Sequence, residues 1–182
     1  MLKNIAAILG FLLLVLLITL GVQNSKVSSA KSTRLPCHTQ VVLFEKVYDP
    51  AALQSVQQAL EQQNYTIEST IKKAHYMKSQ LFEYVDIKKV DQDVKDAIAT
   101  YQTAHIGNSE PVTIKYLIYE NDKNDPGKKT QKSKLYAGYM KFDVVYKKKR
   151  VYAVQIDFMD MEGKDISQRV SCAIKSIMTA AP

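Results

Sequence analysis

The sequence predicts an α+β fold: an N-terminal transmembrane or signal helix, then one domain with a largely antiparallel sheet and helices packed on one face. Three observations predict it. Ile5 to Val22 is an unbroken apolar run. Further on, apolar residues recur at helical spacing in three separate stretches. Between them, and above all in the second half, runs rich in β-branched and aromatic residues alternate in polarity. The resulting order is β-α-β-α-β-β-β-α, and residues 37–182 are numerous enough for one domain with a sizeable core.

The apolar run makes about 27 Å of helix, close to the ~30 Å hydrocarbon thickness of a bilayer. Residues 1–22 therefore read as a membrane anchor or signal segment, 23–36 as a polar, Ser-containing linker ending in Pro36, and 37–182 as an extracytoplasmic domain. The run exceeds the ~7–15-residue core of a cleavable signal, which favours a retained anchor. Ser28-Ser29-Ala30 and Thr19-Leu20-Gly21 are small-residue sites that keep cleavage and secretion as the alternative. Lys26, Lys31 and Arg34 follow the run and oppose export of the C-terminal part, whereas the short N-terminal tail and the cysteine pair favour it. The expected location is the inner membrane, single-pass, with the domain in the periplasm.

Thr39 to Val47 reads as the first strand. Asp49 and Pro50 then cap a helix to about Gln63, with Leu53, Val56, Ala59 and Leu60 inward. Tyr65 to Met77 alternates as a strand, and Leu81 to Val85 extends it or forms a short second one. From Asp86 the period becomes helical through Val90, Val94, Ile98 and Tyr101, and residues 105–111 form a turn around Gly107-Asn108-Ser109. Val112 to Glu120, Leu135 to Tyr146 and Val151 to Phe158 are strands, the last two a hairpin joined by Lys147 to Arg150. Asp165 caps the final helix, with Gln168 in the capping-box position.

Chemistry-bearing motifs are sparse. Cys37 and Cys172 lack the CxxC spacing of a redox or zinc site, and in an oxidising compartment they are expected to form one disulfide joining the first element to the last. His38, His75 and His105 share no metal-ligand spacing, so neither metal nor cofactor is expected. Asp157, Asp160, Glu162 and Asp165 surround the turn after the last strand and fit turn and cap roles better than a calcium loop. Asp143 and Asp157 interrupt hydrophobic strands on the parity of Lys141 and Gln155, as expected for the outward face of the hairpin. No GxSxG, SxxK or phosphate-cradling glycine loop occurs.

The net charge is +7, but Arg is confined to Arg34, Arg150 and Arg169, which argues against sequence-specific nucleic-acid recognition. Two basic loops, Lys128 with Lys129 and Lys147, Lys148, Lys149 with Arg150, are candidate partner-binding elements and are expected at the same end of the sheet, facing other envelope proteins or an anionic surface or polymer. Tyr residues on the exposed sheet face are further candidates. In length and anchor the chain is similar to single-pass periplasmic subunits of bacterial secretion or motility machines, in architecture alone. The leading expectation is a non-enzymatic, membrane-tethered interaction module. The alternative is a small secreted enzyme or ligand binder assembled from His75, His105, Asp143 and Asp157.

Overall fold

The computed structural model describes residues 31–103 and 110–181. The Ile5–Val22 run, the start of the linker and most of the 105–111 turn lie outside the described residues. Among the described residues, no helix is long and apolar enough to cross a membrane.

The elements are α1 (Pro36–Thr39), β1 (Leu43–Val47), α2 (Pro50–Glu61), β2 (Tyr65–Lys72), α3 (Leu81–Tyr84), α4 (Ile87–Ala99), β3 (Val112–Glu120), β4 (Gly138–Tyr146), β5 (Lys149–Phe158) and α5 (Ile166–Met178). The strands form one sheet in the order β1-β5-β4-β3-β2. It is mixed: β2 runs parallel to β3, and the other neighbours are antiparallel. The parallel pair follows from the chain order, because α3 and α4 carry the chain back to the starting end before β3 begins.

Side-chain alternation gives the sheet two unlike faces. Ile114, Tyr116 and Ile118 of β3, Met140, Phe142 and Val144 of β4, and Tyr152, Val154, Ile156 and Phe158 of β5 are buried in the core with α2, α4 and α5. The intervening residues form the opposite face. The N-terminus of α2 is held as its sequence predicts, with Asp49 accepting from Ala52 N–H at 3.2 Å, and α4 is capped by Asp86, which accepts from Lys88 N–H at 2.9 Å. Asp165 precedes α5 without a side-chain bond to its first turn. Its carboxylate accepts from the N–H groups of Met159 and Asp160 and pairs with Arg169 at 3.0 Å, so the expected capping box is replaced by a clamp on the preceding turn.

Other expectations need correction. The strand from Tyr65 ends at Lys72, because the segment beyond it is captured by the end of β3. Glu120 accepts from the N–H groups of Ala74, Gln80 and Leu81, and Asp122 from those of His75 and Tyr76. Leu81–Tyr84 is a helical turn, not a strand. Cys37 and His38 lie in the helical turn α1, so the first strand starts only at Leu43. The hairpin loop is just Lys147-Lys148, with φ of 48° and 63°, the left-handed pair that a tight hairpin requires. Lys149 and Arg150 belong to β5.

Two local devices set the sheet. The register shift between β4 and β5 leaves Val151 unpaired with β4, and its carbonyl accepts from Tyr48 and Asp49 N–H at 2.7 and 3.2 Å, turning the chain from β1 into α2. At the start of β4, a Cβ on Gly138 would collide with the Tyr119 carbonyl and the Phe158 ring. Gly138→Ala is therefore expected to cost about 2–3 kcal/mol, read as a lower urea midpoint at unchanged slope.

Candidate interaction surface

The two chain ends of the domain meet on the helix-covered side of the sheet. Cys37 and Cys172 are bonded as a disulfide across a sequence separation of 135. Beside it Glu45, on the inner parity of β1 with Leu43 and Val47, accepts from Arg34 Nε and Nη2 at 3.0 and 2.9 Å, from Ser32 Oγ at 2.6 Å, and from the Tyr152 hydroxyl. Arg34 also donates to the carbonyls of Ser176 and Thr179, closing the C-terminal end of α5. His38 is fully buried, with Nδ1 3.0 Å from Ser32 Oγ and Nε2 2.7 Å from Ser176 Oγ. Ser32 and Arg34, assigned by sequence to the linker, are thus fastened to the domain.

Burial alone would raise the Glu45 carboxyl. The hydrogen bonds from Arg34, Ser32 and Tyr152 outweigh it and hold the group at about 2, against an ordinary 4.5. Burial also pushes the Tyr152 phenol up, so it remains a donor. Burial lowers His38, which favours the neutral ring.

Among the described residues no helix or strand covers the opposite face of the sheet, and its side chains are ordered in rows across the strands. One row carries Lys72, Tyr119, Tyr139 and Asp157. The next carries Thr70, Leu117, Lys141, Gln155 and Phe44, and the third Glu68, Lys115, Asp143, Ala153 and Lys46. Most charges in these rows are neutralised within the face. Lys115 pairs with Glu68 at 2.7 Å, and Asp143 with Lys141 and Arg150 at 2.9 and 3.2 Å. Arg150 and Lys46 also lie over the Tyr48 ring, at 4.0 and 4.6 Å.

Among the described residues Lys46 and Lys72 meet only tyrosine rings, and Asp157 is the carboxylate of these rows that lies outside such a pair. Among the described residues it has no cationic partner, and burial raises its carboxyl to about 6, opposed only by a hydrogen bond from Gln155. Its surroundings are aromatic: Tyr139 lies directly across the strand and stacks on Tyr119 with ring centroids 4.7 Å apart, and Tyr136 is close enough for its phenol to be raised by burial and by the Asp157 charge. Three of the exposed large apolar side chains gather at this end of the sheet. Val42 accepts the Asp157 N–H through its carbonyl and is 38% exposed, Met159 follows two residues on at 51%, and Leu135 precedes Tyr136 at 68%.

The basic loops do not share an end of the sheet, because β4 runs between them: Gly138 pairs with Glu120 at one end and Tyr146 with Val112 at the other. Lys128 is pinned by Asn121 Oδ1 and by the Asp122 carbonyl at 2.8 Å, so it braces its own loop, whereas Lys129 is exposed. Lys147 and Lys148 line a concavity of about 660 Å³ with Lys115 and Arg150, while Lys149 is exposed on the other side of the turn. His75 is exposed beside Tyr76, and His105 lies outside the described residues. Asp143 and Asp157 share the open face but pair with Ala153 and Tyr139 respectively, two rows apart. Among the described residues the structure therefore does not unite His75, Asp143 and Asp157. A cavity of about 300 Å³ between α4 and the start of α5 is lined by Asp86, Lys89, Asp93, Glu162 and Lys164 and contains none of the described three.

Sequence reasoning named Asp157 and, separately, the sheet tyrosines as candidates for an exposed face, but it did not bring them together. The available signal was parity, since Tyr119 and Tyr139 fall on the polar side of otherwise alternating strands. No protein-family model, no curated protein and no solved structure matches this chain.

Two pH-dependent outcomes follow. Asp157 holds its proton more tightly in the folded state, so its contribution is fully present below its ordinary 3.8 and is lost as pH rises through about 6. Asp157→Asn is expected to stabilise the domain by about 1–2 kcal/mol at about pH 8, after allowance for solvent screening, and to be neutral near pH 3 by denaturant titration. Glu45 has the opposite sign: its stabilisation is present above 4.5 and lost as pH falls through about 2. Glu45→Gln is expected to cost about 2 kcal/mol at neutral pH, with the deficit closing in acid.

Proposed function

We propose that this chain is a non-enzymatic, membrane-tethered interaction module of a bacterial envelope, a subunit or accessory factor that holds a partner protein on the open face of its sheet. The observation that carries the reading is Asp157, a half-buried carboxylate without a cation among the described residues, set among Tyr119, Tyr136 and Tyr139 and bordered by exposed apolar side chains. A carboxylate kept in this state lowers stability at neutral pH, and perturbed groups of this kind concentrate at functional sites.

The occupant suited to it is a Lys or Arg side chain of the partner. Such a cation would neutralise Asp157 while lying against tyrosine rings, and the surrounding apolar groups would exclude water from the pair. Tyr supplies large contact area at low conformational cost, which is why it is enriched in protein interfaces. At the opposite end of the same face Lys147 and Lys148 line a concavity with Glu110 and the already paired Lys115 and Arg150, and these two exposed lysines would complement acidic residues of that partner. Tethering through the Ile5–Val22 run would confine these contacts to the membrane surface, and the disulfide is in keeping with an oxidising compartment.

The test is gentle detergent extraction of the full chain from its own membranes, with companions quantified by mass spectrometry. Asp157→Lys is expected to reduce recovery of the companion at least about tenfold, since opposing like charges at a desolvated site costs several kcal/mol. Lys95→Glu, on the exposed side of α4, should leave recovery unchanged. Equal recovery from wild type and a folded Asp157→Lys protein would contradict the proposal.

A further inference from the structure

The two edges of the sheet are treated differently. At the β1 edge, which is five residues long, Ser32 N–H donates to the Leu43 carbonyl at 2.8 Å and covers part of the strand. The β2 edge has eight residues, continuous in register with β3 from Tyr65 against Val112 to Lys72 against Tyr119, and contains neither a bulge nor a proline.

The direction of its main-chain groups can be derived. Val112 N–H donates to the Asn64 carbonyl at 3.1 Å. In a parallel ladder alternate residues turn both polar groups toward the same neighbour. Thr66, Glu68 and Thr70 therefore face β3, while Tyr65, Ile67, Ser69 and Ile71 turn N–H and C=O away from the sheet. Among the described residues these outward groups have no main-chain partner. Ile71 is also 41% exposed. A long edge free of bulges and proline is a template for strand addition, and its charges, Glu68 and Lys72, are of opposite sign.

We infer that the β2 edge is a self-association site, at which β2 of a second copy of this chain adds antiparallel about a two-fold axis through Thr70. Charge complementarity favours a second copy of β2 as the occupant and this register, the one that opposes unlike charges. Centring on Thr70 opposes Glu68 to Lys72 of the second copy, and by symmetry Lys72 to its Glu68. Centring on Glu68 would oppose like charges, which is destabilising. In the Thr70 register Ser69 and Ile71 of the second copy form the hydrogen-bonded pair, consistent with both being outward-facing residues. Thr70 meets its own equivalent in a non-hydrogen-bonded pair, for which Cα atoms lie about 4.5 Å apart. Glu68 already bonds Lys115, and Lys72 has only the Tyr119 ring at 5.5 Å, so each gains an oppositely charged neighbour. The product is one continuous sheet across two subunits, with two Asp157 sites on a common open face. This inference does not depend on the nature of the partner at Asp157.

The test uses full-length chain in detergent and in its own membranes, with cysteine introduced at one position and non-reducing electrophoresis as the readout. Thr70→Cys is expected to give a covalent dimer under mild oxidation, and Thr66→Cys is not. Adding Glu68→Lys to Thr70→Cys should reduce the dimer at least about fivefold, and combining Glu68→Lys with Lys72→Glu should restore it. Absence of a Thr70→Cys dimer would overturn the inference, even if the chain associates through its hydrophobic segment. Equal cross-linking at positions 66 and 70, or indifference to the charge exchange, would overturn it as well.

Discussion

One layer of helix serves one face of one sheet. α2, α4 and α5 have enough apolar surface to cover the inner parity of β3, β4 and β5, where Tyr116, Phe142, Tyr152 and Phe158 are almost fully buried. No second layer is present among the described residues. The disulfide and the Arg34–Glu45 pair reinforce this arrangement, because they fasten the start of the domain to α5 on the covered side. The entropic gain from closing so long a loop is on the order of 5 kcal/mol in the chain-entropy picture, comparable to the whole stability of many domains. The outer face is left to meet water or another molecule.

Two carboxylates show how differently the two sides are used. Glu45 is saturated with donors, and its charge is held in place by Arg34, Ser32 and Tyr152. Asp157 lies half-buried on the open face, and among the described residues no cation pairs with it. The first is a structural ion whose neutralisation loosens the chain ends. The second stores a local excess of energy that an incoming cation would release, which is the physical basis for reading the open face as an interface.

Much of the architecture was legible because it rests on periodicity. Leu53, Val56 and Leu60, then Val90, Val94 and Ile98, announce their helices, and the alternation in β3, β4 and β5 announces the sheet. The parallel β2–β3 pair was missed because the direction of a strand depends on its crossover, which composition does not encode. The premature end of β2 was hidden because Glu120 and Asp122, more than forty residues away along the chain, bind its continuation. The cluster around Asp157 draws on three strands and a loop, so register had to be known before the tyrosines could be placed beside it. The Glu45 knot left one trace in the sequence, a charged residue on the buried parity of β1.

The most direct test of the open face as an interface is hydroxyl-radical footprinting of Tyr119, Tyr136 and Tyr139 in native membranes, compared with the purified full-length chain in detergent. The account predicts that these tyrosines are protected in membranes and become reactive after purification, while exposed Tyr84 on the helix side reacts equally in both. Equal labelling of the three open-face tyrosines in the two settings would contradict it.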